Sequence, residues 1–241
     1  MKRTILTKTV LLMVLLFTIT TCRGNNGAGT SMNEKMIYVL PEPSLEGEMS
    51  VERALANRRS RREFTNEALT KAELSQILWA AYGITQPIPN HPALRGGLRT
   101  APSAGAMFPF EIYVAVGNVE GIEAGVYKYD SEQHRLIRTI TRDVRTELDE
   151  ASWEQRMIRN APATVIYTAV FSRMIGRYGA RGRERYVAMD LGHSAQNVYL
   201  QAEALGLGTC AIGAFQDDSV SRVLQLPSVE EPLYLMPIGR Y

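Results

Sequence analysis

The chain has 241 residues, a formal net charge of +2 and 45% hydrophobic residues. That apolar content supports one full core, while the basic excess is too small for a dedicated nucleic-acid binder. Its two cysteines and three scattered histidines offer neither a disulfide framework nor metal-ligand spacing.

A leader comes first. Residues 1–22 have a basic start, an apolar run from Val10 to Ile19 and then Cys22. The run is shorter than the ~20 residues of a comfortable membrane span and fits the apolar region of a secretory signal. A cysteine directly after such a run resembles a bacterial lipoprotein signal. Cys22 is then the expected lipidation site, and the cell envelope, with a membrane anchor, the expected location. Thr21 departs from the Gly, Ala or Ser usual before that cysteine. An unprocessed leader on a cytoplasmic protein is the alternative. Residues 23–47 are read as a flexible tether, Gly/Asn-rich at first and then extended around its prolines.

The domain is expected over residues 48–241, with an α+β fold. Ser50 can cap a helix carrying Val51, Ala54 and Leu55 toward Arg58. Thr70 to Glu73 form a capping box, followed by Leu74, Ile77, Leu78 and Ala81 at helical spacing and by Gly83 as a stop. Residues 84–100, rich in Gly, Pro and Arg, read as loop. FEIYVAVG predicts a strand, and GVYKYDSEQHRLIRTI predicts two strands around an Asp-Ser turn. Residues 143–160 read as mostly helical, ended by Pro162. TVIYTAVF is a continuous β-branched apolar run, as in a central strand covered on both faces.

A long helix is predicted from Glu184 to Leu205. Val187, Leu191, Ala195, Val198, Ala202 and Leu205 make its apolar stripe, and Asp190, Ser194, Asn197 and Gln201 an opposite polar one. GLGTCAIGAF turns through glycines into a strand, and LYLMPIGRY is a last short strand.

Four stretches carry candidate chemistry. RRSRREF (residues 58–64) places four arginines around a serine just off a helix. Arginine forks and a serine hydroxyl suit a phosphate; a solvated basic face is the plainer reading. APSAGAMFPFEIYV leads a small-residue loop into a strand, where backbone can approach a flat ring closely; an ordinary turn is the alternative. ALGLGTCAIGAF punctuates a helix end with glycines, and PIGRY leaves Arg240 next to the C-terminus.

In this order the four resemble the nitroreductase family of FMN-dependent oxidoreductases. PSAGAMFPFEIYV, GVYKYD and GHSAQNVYLQAEALGLG look closest to the branch of SagB/ThcOx-type azoline dehydrogenases. The resemblance covers residues 48–241. It implies a central mixed β-sheet flanked by helices, in an intertwined homodimer with FMN at the interface. Carried over by position, Arg58, Arg59 and Ser60 contact the FMN phosphate and ribityl chain. Arg62 falls near the pyrimidine side of the ring, where a cation favours the negative charge that appears on reduction. Arg240 reaches the phosphate. Pro102, Ser103, Ala104 and Gly105 line the ring from the other subunit, and Leu207, Gly208 and Thr209 lie beneath it. Ala106 stands where many simple nitroreductases have an asparagine bonding the ring.

The resemblance assigns hydride chemistry to the flavin N5 and names no catalytic side chain. The expected function is an oxidoreductase passing electrons from a donor such as NAD(P)H to an organic acceptor such as a nitro compound or quinone. Alternatives are azoline-ring oxidation in a peptide, and a non-catalytic envelope flavin-binding lipoprotein. An exported protein would not meet an NAD(P)H pool, so export and a nicotinamide donor conflict. Residues 171–186 read as a long linker, either a lid carrying Arg173, Arg177, Tyr178 and Arg181 or a solvated loop. His193 is read as a packing or hydrogen-bonding residue and Cys210 as an inert core thiol.

Overall fold

A computed structural model describes residues 36–65, 67–91 and 94–241. In chain order it begins with β1 (Ile37–Val39), α1 (Val51–Asn57), α2 (Lys71–Tyr82), β2 (Ile84–Pro87), β3 (Gly97–Arg99), β4 (Phe110–Val116), β5 (Gly125–Asp130) and β6 (Arg135–Ile140). There follow α3 (Arg145–Ala151), α4 (Met157–Asn160), β7 (Ala163–Ala169), α5 (Ser172–Tyr178), α6 (Val187–Ala204), β8 (Gly208–Thr209), α7 (Asp217–Leu224) and β9 (Glu231–Gly239).

The helix starts follow local chemistry. Ser50 accepts the Arg53 N–H at 3.2 Å and caps α1. Thr70 accepts from the Glu73 N–H at 3.1 Å while Glu73 accepts from the Thr70 N–H at 2.8 Å, so the capping box is complete. Leu74, Ile77, Leu78 and Ala81 then fall on one buried face of α2.

Seven strands form one sheet in the order β1-β6-β5-β4-β7-β9-β8, paired antiparallel. At the β8 edge Ser60 adds a parallel bridge to Thr209, which makes the sheet mixed. β7 is buried along its whole length. Its Val165 and Tyr167 face the α2 and α6 layer. Its Ile166 faces a second layer containing Leu148, Ile158 and Val220. The continuous apolar run therefore has the cause expected of it, helices on both faces.

Four segments differ from the sequence reading. Residues 36–47, assigned to the tether, join the fold: β1 pairs with β6, Leu40 is buried, and the Ser44 N–H reaches Gln76 Oε1 at 2.8 Å. Residues 84–100 contain the β2–β3 hairpin. The buried Arg99 organises it, donating to the Tyr82 and Arg95 carbonyls and stacking 4.6 Å from the Tyr82 ring. Residues 172–186 are helical rather than irregular, α5 being followed by a π-helical turn over Gly182–Tyr186. α7 went unread, although Val220, Val223 and Leu224 keep helical spacing behind Asp217 and Asp218.

The stripe of α6 read as polar is turned inward. Asp190 and Ser194 are buried beside the apolar stripe and spend their polar atoms on neighbours. Ser194 donates to the Ala81 carbonyl at 2.5 Å, Asn197 donates to the Thr100 carbonyl at 3.1 Å, and Gln201 accepts from Gln76 at 3.1 Å. Among the described residues no helix is long and apolar enough to cross a membrane.

Candidate functional site

The arginine–serine stretch leaves α1 as an extended strip against the β8–β9 edge. The Arg61 N–H donates to the Thr209 carbonyl and the Thr65 N–H to the Arg240 carbonyl, each at 2.9 Å. Arg58, Ser60, Gly208, Thr209 and Arg240 thus come to one edge of the sheet. Space there is tight, since a Cβ on Gly208 would lie 2.7 Å from that of Arg61.

The charges along the strip differ in how they are used. Arg240 sits on Glu73 at 2.7 Å and Glu67 at 3.0 Å, and also donates to the Ala68 carbonyl. Arg59 folds back on the Ala56 and Arg58 carbonyls. Arg61 stacks 4.1 Å from the Tyr241 ring. Arg58 and Arg62 have no carboxylate partner among the described residues. Arg58 lies 5.3 Å over the Tyr199 ring. Arg62 is close enough to Cys210 to oppose the upward shift that burial gives its thiol. Thr209 Oγ1 is buried with no hydrogen-bond partner among the described residues, the kind of orphan that costs about 1–3 kcal/mol unless a ligand or second chain meets it.

The Pro102–Gly105 loop is built by α6. The Asp190 carboxylate accepts the Ser103 hydroxyl at 2.6 Å and the Ala104 N–H at 3.1 Å. Ser103 Oγ in turn accepts the Phe108 N–H at 2.9 Å. Its hydroxyl is thereby engaged inside the protein, and the exposed parts of the loop are Pro102 and Gly105. Burial raises the Asp190 pKa, with the Ser103 and Ala104 hydrogen bonds opposing it. Gly105, Ala106 and Phe108 have φ of 61°, 54° and 45°. Positive φ at an alanine and a phenylalanine is strained backbone, which persists only where surroundings over-determine it.

Part of that determination is ionic. Glu111, at the start of β4, receives Arg95 at 2.6 Å, Arg173 at 2.5 Å and Lys128 at 3.1 Å. Burial pushes its carboxyl pKa up, and the three cations outweigh that and hold it below the ordinary value. Arg95 also donates to the Phe108 carbonyl at 2.7 Å, and Arg173 to the Pro109 carbonyl at 3.3 Å. The exit of the strained loop is therefore clamped between Arg95 and Arg173 of α5.

The α5 region also reaches one side of the loop. A Cβ on Gly105 would run into the Tyr178 hydroxyl. Tyr178 packs edge-on to Tyr186 at 4.9 Å, bridging α5 to the π-helical turn. Arg183 is tied to Glu231 at 2.7 Å and Arg181 to the Tyr186 hydroxyl at 2.9 Å.

The predicted site residues thus fall into two groups. Arg58, Ser60, Thr209 and Arg240 meet at the β8–β9 edge, while Pro102, Ser103, Ala104 and Gly105 lie at the first turn of α6. Asp190 of the loop group and Tyr199 of the arginine group lie about 13 Å apart along α6, at ~1.5 Å per residue. Leu207 is buried in the core. His193 is exposed on α6, and Cys210 is buried with its sulfur 3.5 Å from that of Met157. Cys22 lies outside the described residues. The sequence reading missed Asp190, Tyr199 and Glu111 as organisers. A carboxylate in the first turn of a half-apolar helix was the available signal for Asp190.

Comparison with known proteins gives the class and then the family. The chain shares its fold with a nitroreductase-like crystal structure from Ralstonia eutropha, at a TM-score of 0.71 and 32% identity over 85% of this chain and 89% of that one. It belongs to the nitroreductase family, a family of oxidoreductases, whose model matches residues 55–240. A protein of Methanocaldococcus jannaschii that bears the name nitroreductase is 46% identical over 198 residues, which is 82% of this chain and 94% of that protein. The trifolitoxin-processing protein TfxB of Rhizobium leguminosarum is 35% identical over 149 residues, 59% of this chain and 40% of TfxB. A chain of the Escherichia coli microcin synthetase McbBCD complex, solved with truncated pro-MccB17 bound, shares the fold at a TM-score of 0.62 and 22% identity, over 93% of this chain and 84% of that one.

Proposed function

We propose that the chain is an FMN-dependent oxidoreductase. The observation that carries this is the state of the arginine strip. Among the described residues Arg58 and Arg62 have no carboxylate partner, and the buried Oγ1 of Thr209, the residue bridged to Ser60, has no hydrogen-bond partner. Free guanidinium groups with serine and threonine hydroxyls suit a phosphate and a polar chain. When bound, FMN supplies the hydride and electron chemistry at its N5. The protein's part is to bind and orient. Arg58 and Ser60 hold the phosphate end, and Arg62 favours negative charge on the ring. The Asp190-braced loop presents Pro102 and Gly105 as a close wall. Arg240, held by Glu67 and Glu73, shapes the phosphate end from behind.

The two site groups stand apart within one chain, which favours a homodimer in which the loop of one copy meets the arginine strip of the other. Light scattering tests this: a dimer that loses its flavin on dissociation supports the shared site, and a monomer that binds FMN tightly refutes it.

The reduced donor is read as NAD(P)H and the acceptor as a nitro compound or quinone. Anaerobic titration of FMN-loaded protein with NADH and NADPH, followed by acceptor, tests it. Bleaching of the flavin by donor and recovery with acceptor is the expected result. A second reading is oxidation of azoline rings in a peptide, favoured by the 35% identity to a toxin-processing protein. Turnover of an azoline-bearing peptide, with no bleaching by nicotinamides, selects it. A flavin carrier without turnover is left if neither occurs. The envelope placement through a lipidated Cys22 is proposed from the leader alone. Membrane fractionation of wild type and Cys22→Ala tests it, and unmodified Cys22 in soluble protein contradicts it.

A further inference from the structure

Tyr199 lies on α6, where the sequence reading assigned it no role of its own, yet it touches three parts of the arginine strip's surroundings. Its hydroxyl oxygen accepts the Ala211 N–H at 2.8 Å. The same oxygen lies 3.1 Å from Ser60 Oγ. The Arg58 guanidinium sits 5.3 Å over its ring. One tyrosine therefore joins the loop after β8, the serine and the free arginine.

The direction of the first of these hydrogen bonds is set by the backbone. A peptide N–H can only donate, so the Tyr199 oxygen is an acceptor toward Ala211. The tyrosine proton then needs an acceptor of its own. Among the described residues the other hydrogen-bond neighbour of this oxygen is Ser60 Oγ. With the tyrosine donating, Ser60 Oγ accepts and its own proton is left over. Ser60 is exposed, so that proton is available to a ligand. The opposite polarity would load two donors on the tyrosine oxygen and leave its proton with no acceptor among the described residues.

We propose that Tyr199 is a positioning residue that turns the Ser60 hydroxyl into an outward-facing donor for the phosphate of the cofactor, and rests Arg58 on its ring beside it. This builds on the FMN reading above. The relay runs from the Ala211 N–H through Tyr199 to Ser60 and ends on a phosphate oxygen. A donor fixed in this way binds an anion without first reorienting, and it discriminates against ligands that lack the anion.

The test compares FMN with riboflavin, which has the same ring and no phosphate, on full-length wild type, Tyr199→Phe, Ser60→Ala and the double variant, by fluorescence titration. Tyr199→Phe is expected to weaken FMN by about tenfold and riboflavin less than about twofold, as when one hydrogen bond to a charged group is lost. The double variant is expected to bind FMN no more weakly than Ser60→Ala alone, because both changes break one relay. Equal weakening of FMN and riboflavin by Tyr199→Phe, or no change in either, overturns the proposal. Additive losses in the double variant overturn it as well. Should Tyr199→Phe not fold, Ser60→Ala must still show the phosphate-selective loss, and equal loss of both ligands there overturns the relay. Wild type that binds neither flavin removes the FMN reading and this proposal together. Wild type that binds FMN, with Tyr199→Phe unchanged, removes only this one.

Discussion

Asp190 holds Ser103: its buried carboxylate takes the serine hydroxyl at 2.6 Å and so fixes the start of a loop in which three residues have positive φ. The first turn of α6 thereby sets the shape of a segment that follows β3, far earlier in the chain. Replacing Asp190 by alanine strands the Ala104 N–H and the Ser103 hydroxyl. The expected cost is about 1–3 kcal/mol of folding stability, with less for Asp190→Asn, which keeps one acceptor. Urea denaturation of the two variants checks the order, and equal loss in both would show that the charge rather than the acceptor matters.

Gly105 meets Tyr178 where the α5 region reaches the loop. Gly105→Ala adds a Cβ at φ 61° and drives it into the tyrosine hydroxyl. The backbone penalty alone is about 1–2 kcal/mol. Adding Tyr178→Phe removes the hydroxyl from the clash and is expected to restore part of the loss, with a coupling of about 0.5 kcal/mol or more. Thermal melts of both singles and the double measure it. Strict additivity would mean that the two residues do not meet.

Arg58 and Arg240 are expected to respond differently, because one is free of carboxylates and the other is tied to Glu67 and Glu73. Arg58→Ala is expected to weaken FMN by about 1.5–3 kcal/mol and to cost the unliganded protein no more than about 1 kcal/mol, the worth of its contact with the Tyr199 ring. Arg240→Ala is expected to lower the stability of the unliganded protein. Paired flavin titration and melting separate the effects, and a reversed pattern would place the phosphate clamp on Arg240.

How much of this was legible in the sequence follows from how local each cause is. The capping box at Thr70 is contained in four residues, and β7 announces itself by an unbroken apolar run, so both are readable. The β2–β3 hairpin depends on Arg99 stacking on Tyr82 and bonding the Arg95 carbonyl, contacts that no periodicity encodes. β1 looked like tether because the short apolar run from Met36 to Leu40, between a polar stretch and two prolines, gives only a weak strand signal until β6 supplies the pairing. The stripe of α6 gave its period correctly and its surroundings not at all. Asp190 and Ser194 are inward because Ser103, Ala104 and the Ala81 carbonyl await them. The same distance effect hid the ion pairs of Arg240, whose partners are Glu73 in the first turn of α2 and Glu67 just before that helix. The arginine strip and the Pro-Ser loop were found as motifs. Their separation along α6 needed coordinates.

His134 gives the fold a pH dependence whose sign can be stated. Its ring lies between Tyr129, at 2.8 Å, and Ser75, at 2.6 Å, with the Pro41 carbonyl at 2.9 Å and Glu42 nearby. Burial lowers its pKa below the ordinary 6.5, with the Pro41 carbonyl and Glu42 opposing. The unfolded chain therefore takes up the proton first. The stability that His134 contributes is complete above pH 6.5 and is lost as pH falls from there through the folded value. His134→Asn, which tolerates the φ of 43° at this position, is expected to flatten the slope of stability below pH 6.5. An unchanged slope in that variant would assign the pH dependence to another group.

The measurement that bears most directly on the account is the flavin content of the purified full-length protein. The arginine strip, with Arg58 and Arg62 lacking carboxylate partners among the described residues beside Ser60 and Thr209, predicts a yellow protein that releases FMN, one per chain, on denaturation. It also predicts that the stripped protein regains its flavin spectrum when FMN is returned. A colourless protein that gains no flavin absorbance on reconstitution with FMN would contradict it.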